Sequence, residues 1–128
     1  MESLVLAATQ RTPAVHFNFA EGLLSLSGES YPENASSFFG QLYHALKAYL
    51  QESPPRELRF EFRLAYFNSS SAKALMHLMQ LLEGAGQADW KVTVRWYFTE
   101  GDDTMEEFGR DFAQDFERIH FELEAVEG

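Results

Sequence analysis

The sequence predicts a two-layer α/β domain spanning residues 1–128, with a mixed sheet of about five strands and helices covering one face of it. Three observations lead to this fold class. After an initial pair of strand-like segments, helix-like and strand-like segments alternate along the chain. The clearest strands each have one polar face, whereas strands of a doubly wound sheet are apolar on both faces. The 12 Phe, 5 Tyr and 2 Trp can fill one core.

The first predicted elements are a β-hairpin and a helix. Apolar and polar residues alternate over 14–19 and again over 23–28, as in two antiparallel strands. Asn34 is then a candidate N-cap for a segment with apolar residues at helical spacing. Because Ser53 and two prolines end this pattern, we predict a helix over 35–51.

The second half of the chain contains two strong strand patterns with a helix between them. Residues 57–66 alternate without a fault, and the polar face continues as far as Ala65. The apolar face consists of Leu58, Phe60, Phe62, Leu64 and Tyr66. Residues 70–84 follow the helical period, and glycines at 84 and 86 are expected to end this helix. Residues 90–98 form another strand with one polar face.

The last predicted elements are an acidic helix and a short edge strand. The helix follows Gly101 and has a narrow apolar stripe, and the strand covers 119–123. Each strand–helix–strand unit is expected to form a right-handed parallel crossover. The predicted core consists of Phe39, Leu42, Leu46, Leu58, Phe60, Phe62, Leu64, Leu75, Met79, Leu82, Val92, Val94 and Trp96.

Composition and charge exclude several classes of function. Between Thr99 and Gly128 there are eleven acidic and two basic residues, so this segment carries −9 of the net charge of −10. Such a polyanion repels nucleic acid and anionic lipid, which leaves a protein as the favoured partner. The apolar run at 4–8 is too short to insert into a membrane or to serve as a signal peptide. The absence of cysteine fits a cytoplasmic protein.

No motif predicts a metal, a cofactor or a catalytic site. The sequence contains no G-x-S-x-G elbow, no Gly-rich phosphate loop and no H-E-x-x-H. Four acids follow Gly101 but lack the alternating order of a calcium loop. The four histidines are scattered and are expected to be solvated surface residues: His16, His44, His77 and His120.

Three loops are expected to meet where the parallel strands end, at residues 29–34, 67–71 and 99–103. A run of three serines begins the helix after the second loop. These serines could simply cap the helix, because Asn and Ser are preferred N-caps. They could also include a phosphorylation site, since a helix N-terminus favours phosphate and Lys73 lies one turn along. The pattern alone leaves both interpretations open.

The polar face of the sheet is a second candidate surface. Its charged and aromatic residues could bind a partner, although cross-strand ion pairing is the commoner use of such residues. The residues concerned are Arg59, Glu61, Arg63, Lys91, Arg95 and Tyr97.

Several segments together resemble the SiaC family of bacterial regulatory phosphoproteins, over nearly the whole chain. They are residues 12–14, 26–34, 62–73 and 95–97, with Ser-Tyr-Pro-Glu-Asn at 30–34 and Tyr-Phe-Asn-Ser-Ser-Ser at 66–71 as the specific motifs. The resemblance implies a fold similar to STAS domains and anti-sigma-factor antagonists. It also implies a partner switch without catalysis of its own and without a cofactor.

The resemblance further implies that a kinase phosphorylates Ser69 and that a PP2C-type phosphatase removes the phosphate. The family motif more often has Thr at this position, which leaves Ser70 and Ser71 as less favoured acceptors. The unphosphorylated form would bind and activate a diguanylate cyclase and so control cyclic di-GMP and biofilm formation. The implied partner-binding residues are Tyr31, Pro32, Glu33, Asn34, Asn68, Ser70 and Lys73.

Two other functions stay open beside this one. A constitutive adaptor could use the acidic helix or the polar sheet face to bind a protein, with Ser69, Ser70 and Ser71 only capping a helix. An enzyme with a serine nucleophile is less favoured, because no base or oxyanion motif accompanies the serines.

Overall fold

The computed structural model describes residues 2–128, which form six strands and three helices. In chain order they are β1 (Leu4–Leu6), β2 (Ala14–Asn18), β3 (Leu23–Ser30), α1 (Ala35–Glu52), β4 (Glu57–Phe67), α2 (Ser69–Gln87), β5 (Lys91–Thr99), α3 (Asp103–Gln114) and β6 (Ile119–Val126). No helix in this part of the chain combines the length and the apolar character needed to cross a bilayer.

All six strands form one mixed sheet in the order β1-β2-β3-β4-β5-β6. The first three strands are antiparallel neighbours, and β3 to β6 are parallel, with one helix in each crossover. The predicted α/β fold class is therefore confirmed, with six strands where about five were expected. The additional strand is β1, whose three residues are too few to show an alternating pattern.

The core lies between the three helices and one face of the sheet. Val15, Leu26, Phe62 and Trp96 are neighbours across four strands and are all buried on that face. Every residue of the predicted core is at most 4% exposed. The single-face assignment of the strands and helices is thus confirmed.

A β-bulge near the end of β4 overturns one part of the strand prediction. Leu64 pairs with Gly28 and Tyr66 with Glu29, so Ala65 is an extra residue that shifts the alternation by one. Tyr66 is consequently 50% exposed, whereas Phe67 is buried. The prediction that Tyr66 faces the core with Leu64 was wrong.

The second helix is longer than predicted. It runs through both glycines to Gln87 instead of ending at residue 84. Gly86 is needed for packing, because a Cβ at this position would lie 2.5 Å from the carbonyl oxygen of Arg118. The glycines therefore do not signal a C-terminus here, and the inward face continues to the buried Ala85.

The third helix packs closely on Trp96. Gly109 has no side chain at the contact, and a Cβ there would lie 2.5 Å from Cδ1 of Trp96. The Trp96 indole Nε1 donates a 3.0 Å hydrogen bond to the Met105 carbonyl oxygen. The predicted apolar stripe covers this region, with Met105 and Phe112 buried.

Candidate functional site at the carboxyl end of the parallel strands

Two of the three predicted loops lie side by side where β3 and β4 end. The Asn68 backbone N–H donates a 3.0 Å hydrogen bond to the Ser30 carbonyl oxygen. The third loop is joined to the end of β6, where the Glu100 N–H donates a 2.8 Å hydrogen bond to the Val126 carbonyl oxygen. The helix that follows this loop, α3, contacts the end of β4, where the ring centroids of Phe108 and Phe67 are 4.8 Å apart.

The three serines at the start of α2 have different environments. Ser71 is fully buried, and its hydroxyl donates to the Ser30 carbonyl oxygen at 3.1 Å. The Ser30 hydroxyl in turn lies 2.8 Å from Ser71 Oγ, so the two side chains join the loops inside the protein. Ser69 and Ser70 are exposed.

The N-cap of α2 is Asn68, not a serine. Its side-chain oxygen accepts a 2.9 Å hydrogen bond from the Ser71 N–H. Within residues 2–128, the Ser69 and Ser70 hydroxyls make no hydrogen bond. Capping therefore does not account for these two exposed hydroxyls.

The loop over residues 31–34 is held by its neighbours on both sides. Asn34 caps α1 by accepting a 3.0 Å hydrogen bond from the Ser37 N–H. The Glu33 carboxylate forms a 2.6 Å ion pair with Arg11, and the Tyr31 N–H donates to the Arg11 carbonyl oxygen at 2.7 Å. Arg11, in the connection between β1 and β2, thus helps to hold this loop in place.

The sequence patterns do not predict these contacts of Arg11. Thr9 Oγ1 accepts hydrogen bonds from the Arg11 and Thr12 N–H groups at 3.2 and 3.0 Å and so closes a tight turn. A threonine whose side chain accepts hydrogen bonds from backbone N–H groups two and three residues later is a recognised turn signal. Thr9 stands four residues before Pro13, which is a further turn signal. The turn could have been predicted, but its contact with Tyr31 is long-range.

Tyr66, turned outward by the bulge at Ala65, stands beside Tyr31. Their ring centroids are 6.0 Å apart in an edge-to-face arrangement. Tyr31 and Pro32 are half-buried, and Asn68 is partly buried with its side chain used in the cap. The sequence motif predicted Tyr31 at the site, and the bulge adds Tyr66 to it.

A groove of about 590 Å³ lies between the N-terminal halves of α1 and α2. Four of the residues predicted to bind partners line it: Glu33, Asn34, Ser70 and Lys73. Phe39 and Leu78 supply apolar surface to its wall, and Tyr43 and His77 also line it. The remaining predicted residues, Tyr31, Pro32 and Asn68, do not line this groove.

The electrostatics at the start of α2 favour an anion. The N-terminus of a helix carries about half a positive charge. The first turn of α2 contains no acidic residue, whereas that of α3 contains Asp103 and Glu106. Lys73 is exposed and makes no ion pair within residues 2–128. In a chain of net charge −10, this end of α2 thus combines the positive end of a helix with an exposed lysine.

The polar sheet face instead satisfies most of its charges internally. Glu61 pairs with Arg59 at 3.0 Å and with Arg63 at 3.5 Å. Lys91 pairs across the strands with Glu57 at 3.4 Å. The Arg63 guanidinium lies 3.6 Å from the ring centroid of Tyr97, which it helps to bury. These contacts favour the structural interpretation of this face over a binding role.

No group of three or more His, Asp or Glu side chains that could hold a metal ion occurs in the described residues. The histidines on the helices, His44 and His77, are exposed, as are His16 and His120 on the strands.

A family model described as "SiaC family regulatory phosphoprotein" matches residues 6–126, which is nearly the whole chain. This chain belongs to the SiaC family. Its resemblance to the family in sequence motifs is thereby confirmed.

Relatives and solved structures agree with this membership of the SiaC family. A protein of Pseudomonas aeruginosa strain UCBPP-PA14 is 36% identical over 115 residues, which are 90% of each chain. The structure of SiaC of Pseudomonas aeruginosa has a TM-score of 0.91 and 35% identity, and the match covers 98% of this chain and 100% of that one.

The same Pseudomonas aeruginosa SiaC has also been solved in complex with the diguanylate cyclase SiaD, whose activator it is. This chain matches the SiaC of that complex with a TM-score of 0.91 and 35% identity, over 96% of this chain and 99% of that one.

Proposed function

We propose that this chain is a non-catalytic partner switch of one domain, reversibly phosphorylated on Ser69, whose unphosphorylated form binds and activates a diguanylate cyclase. Membership of a family of regulatory phosphoproteins supports the general role. The complex of the Pseudomonas aeruginosa SiaC with a cyclase supports the kind of partner. The observation that carries the proposal is the exposed Ser69 hydroxyl at the positive end of α2, which has no capping role.

Accessibility excludes one of the three candidate acceptors, and the family motif favours one of the other two. A kinase must reach the hydroxyl, and Ser71 is fully buried and hydrogen bonded to Ser30. Ser70 is exposed but lines the groove between α1 and α2. Ser69 follows Asn68 directly, which is the position that the family motif favours. We therefore assign the phosphate to Ser69.

A phosphate on Ser69 is compatible with the folded state. The helix N-terminus favours a negative charge by about 0.3 to 1 kcal/mol, and Lys73 is one turn away. The hydrogen bonds that join the two loops involve Ser30, Asn68 and Ser71, not the Ser69 side chain. Phosphorylation therefore changes the charge of the surface and leaves the loop positions unchanged.

The same phosphate opposes partner binding. A partner that packs against this end of α2 would desolvate the dianion, and a buried unpaired charge costs about 3 to 5 kcal/mol. The loops carrying Tyr31 to Asn34 and Asn68 to Ser70 lie on the same surface as the groove, so kinase and cyclase would compete for one region. A PP2C-type phosphatase would restore binding.

The proposed cycle sets the output of the cyclase and thereby cyclic di-GMP and biofilm formation. It takes place in the cytoplasm, where the nucleotide substrates of a kinase and a cyclase are available. The partners are proteins, and neither nucleic acid nor membrane insertion is part of the mechanism.

Mass spectrometry of the protein co-expressed with a candidate partner kinase tests the acceptor. We expect one added phosphate, mapped by fragmentation to Ser69. Ser69→Ala should abolish the modification, while the matched variant Ser70→Ala should keep it. A phosphate that maps to Ser70 would refute the assignment, and an unmodified protein would favour the constitutive adaptor.

The shared surface is tested separately with Tyr31→Ala and Glu33→Ala. We expect both variants to lower phosphorylation and cyclase binding together, because both residues lie on the loop beside Ser69. Lys47→Ala on the exposed surface of α1 serves as a control. If the two loop variants leave phosphorylation and binding unchanged, kinase and cyclase do not use this surface.

A further inference from the structure

We propose that the free edge of β6 binds an extended, basic segment of a partner protein as an additional strand. β6 is the last strand of the sheet, and all eight of its residues pair with β5 on one side only. An edge strand presents a row of backbone N–H and C=O groups to a further strand. The opposite edge, β1, has only three residues, so β6 offers the longer template for strand addition.

The apolar side chains of β6 are incompletely covered on this edge. Ile119, Phe121 and Leu123 pair with Val92, Val94 and Trp96 and so share the face of the core. Ile119 is buried, but Phe121 and Leu123 are only half-buried. Apolar residues on an added strand would cover the exposed parts of these two side chains.

The other face of β6 is acidic. Glu122 and Glu124 alternate with the apolar residues, and their side chains are 39% and 50% exposed. Both carboxylates lie close to Arg95, at 3.4 and 3.5 Å, and so they share one guanidinium. His120 lies 3.7 Å from Glu122 and adds a positive charge only when protonated. The two carboxylates of this face thus share the single guanidinium of Arg95.

This charge selects the kind of partner. Pairing β6 with a second copy of itself would bring acidic residues close to acidic residues, and like charges facing each other across strands are destabilising. A strand that alternates Lys or Arg with apolar residues would instead match both faces. The charge of the surrounding segment also favours a basic partner, because residues 99–128 carry −9 of the net charge. The favoured occupant is therefore a basic, amphipathic segment of another protein.

A synthetic peptide tests this proposal without the kinase or the cyclase. The probe is an eight-residue peptide that alternates Lys and Val, blocked at both ends, and the comparison peptide alternates Glu and Val. In an NMR titration we expect only the Lys peptide to slow amide exchange, with the effect confined to residues 119–126. Binding should weaken as salt is raised.

Two matched double variants distinguish binding at the β6 edge from a general effect of the negative charge of the protein. Glu122→Gln with Glu124→Gln should weaken binding of the Lys peptide roughly fivefold, from the loss of cross-strand pairs. Glu2→Gln with Glu52→Gln makes the same change of charge at exposed positions outside β6, Glu2 being next to β1 at the opposite edge, and should leave binding unchanged. Unaltered exchange rates in α1 and α2 show that the variants are folded.

Several results would overturn the proposal. Amide exchange in β6 could stay unchanged at millimolar Lys peptide, or the two double variants could weaken peptide binding equally. The amides protected by the peptide could also lie in β1 or at the start of α2 instead of in β6. Self-association that protects β6 without peptide would assign the edge to a second copy of the chain. Because none of these measurements involves phosphorylation, they leave the proposed switch at Ser69 untouched.

Discussion

The first turn of α2 has an inner and an outer side, and its hydroxyl groups differ accordingly. On the inner side, Ser71 is fully buried and bonds to the side chain and the carbonyl oxygen of Ser30. On the outer side, Ser69 and Ser70 are exposed and make no hydrogen bond in residues 2–128. The inner serine fixes the position of two loops, and the outer serines are available for modification.

This difference explains how one short segment can be both rigid and switchable. The N-cap and the inner hydrogen bonds hold the backbone of residues 68–71 whatever the charge on the outer side. Chemical change on the outer side therefore alters what a partner meets without altering the fold. Variants on the inner side should therefore change stability, and variants on the outer side should change partner binding.

The largest effect on stability is expected in the core beneath the inner side. Phe62 is fully buried, stacked 4.4 Å from the Phe60 ring and 5.6 Å from that of Trp96. Phe62→Ala should lower the free energy of unfolding by about 3 to 5 kcal/mol, measured by denaturant melts. A loss under about 1 kcal/mol would mean that this face of the sheet is not the core.

A smaller loss is expected at the inner serine. Ser71→Ala removes the bond to the Ser30 carbonyl oxygen and leaves the buried Ser30 hydroxyl without its partner. Leaving a buried polar group unsatisfied costs about 1 to 3 kcal/mol. The matched outer variant Ser70→Ala should change stability by no more than about 0.5 kcal/mol. Equal effects in the two variants would remove the distinction between the two sides.

The Asn68 side chain, which caps α2, should contribute about 1 kcal/mol to the free energy of unfolding. Asn68→Ala removes the acceptor for the Ser71 N–H, and an N-cap replaced by Ala typically costs this amount. Asn68→Ser should retain most of the stability because serine also caps well. If Asn68→Ala and Asn68→Ser are equally destabilised, the side chain does not act as the cap.

A buried hydroxyl elsewhere in the core shows how burial opposes charge. Burial raises the pKa of Tyr49 above its ordinary value of 10.0, and the nearby Arg56 opposes this shift. Because the folded state holds the Tyr49 proton more tightly than the unfolded state, stability should fall as pH rises above about 10. The free energy of unfolding of Tyr49→Phe should fall less steeply with pH over that range. Parallel stability curves for the two proteins would mean that the Tyr49 hydroxyl does not have a raised pKa.

The smallest effect is expected on the outer side. Ser69→Asp places a negative charge at the N-terminus of α2 and should leave stability unchanged or raise it by up to about 1 kcal/mol. Adding salt should reduce any gain, since the interaction is exposed. A clear loss of stability would mean that charge at Ser69 disturbs the fold, so that a phosphate could not act on partners alone.

The sequence predicts more of the fold than of the contacts around the site. Alternation over 57–64 identifies the buried face correctly, because one helical layer covers it. The bulge at Ala65 has no comparable local signal, since an extra residue in β4 is defined only by its pairing with β3. The ion pair between Arg11 and Glu33 is likewise a long-range contact.

The burial of the three serines could have been predicted from the sequence. Ser71 lies on the helical face of Leu75, Leu78 and Leu82, so the period of α2 places it inside. Ser69 and Ser70 fall off that face. Strand topology also predicted correctly that residues 30–34 and 67–71 would be neighbours, because consecutive parallel strands end at the same edge.

The most direct test of the central claim is titration calorimetry of a candidate diguanylate cyclase with the unphosphorylated and the Ser69-phosphorylated protein. We predict at least a hundredfold weaker binding for the phosphorylated form, since a desolvated unpaired charge costs several kcal/mol and about 1.4 kcal/mol corresponds to a factor of ten. Ser69→Ala should bind like the unphosphorylated protein, and both forms should melt at similar temperatures. Equal affinities of the two forms would contradict the switch and favour a constitutive adaptor.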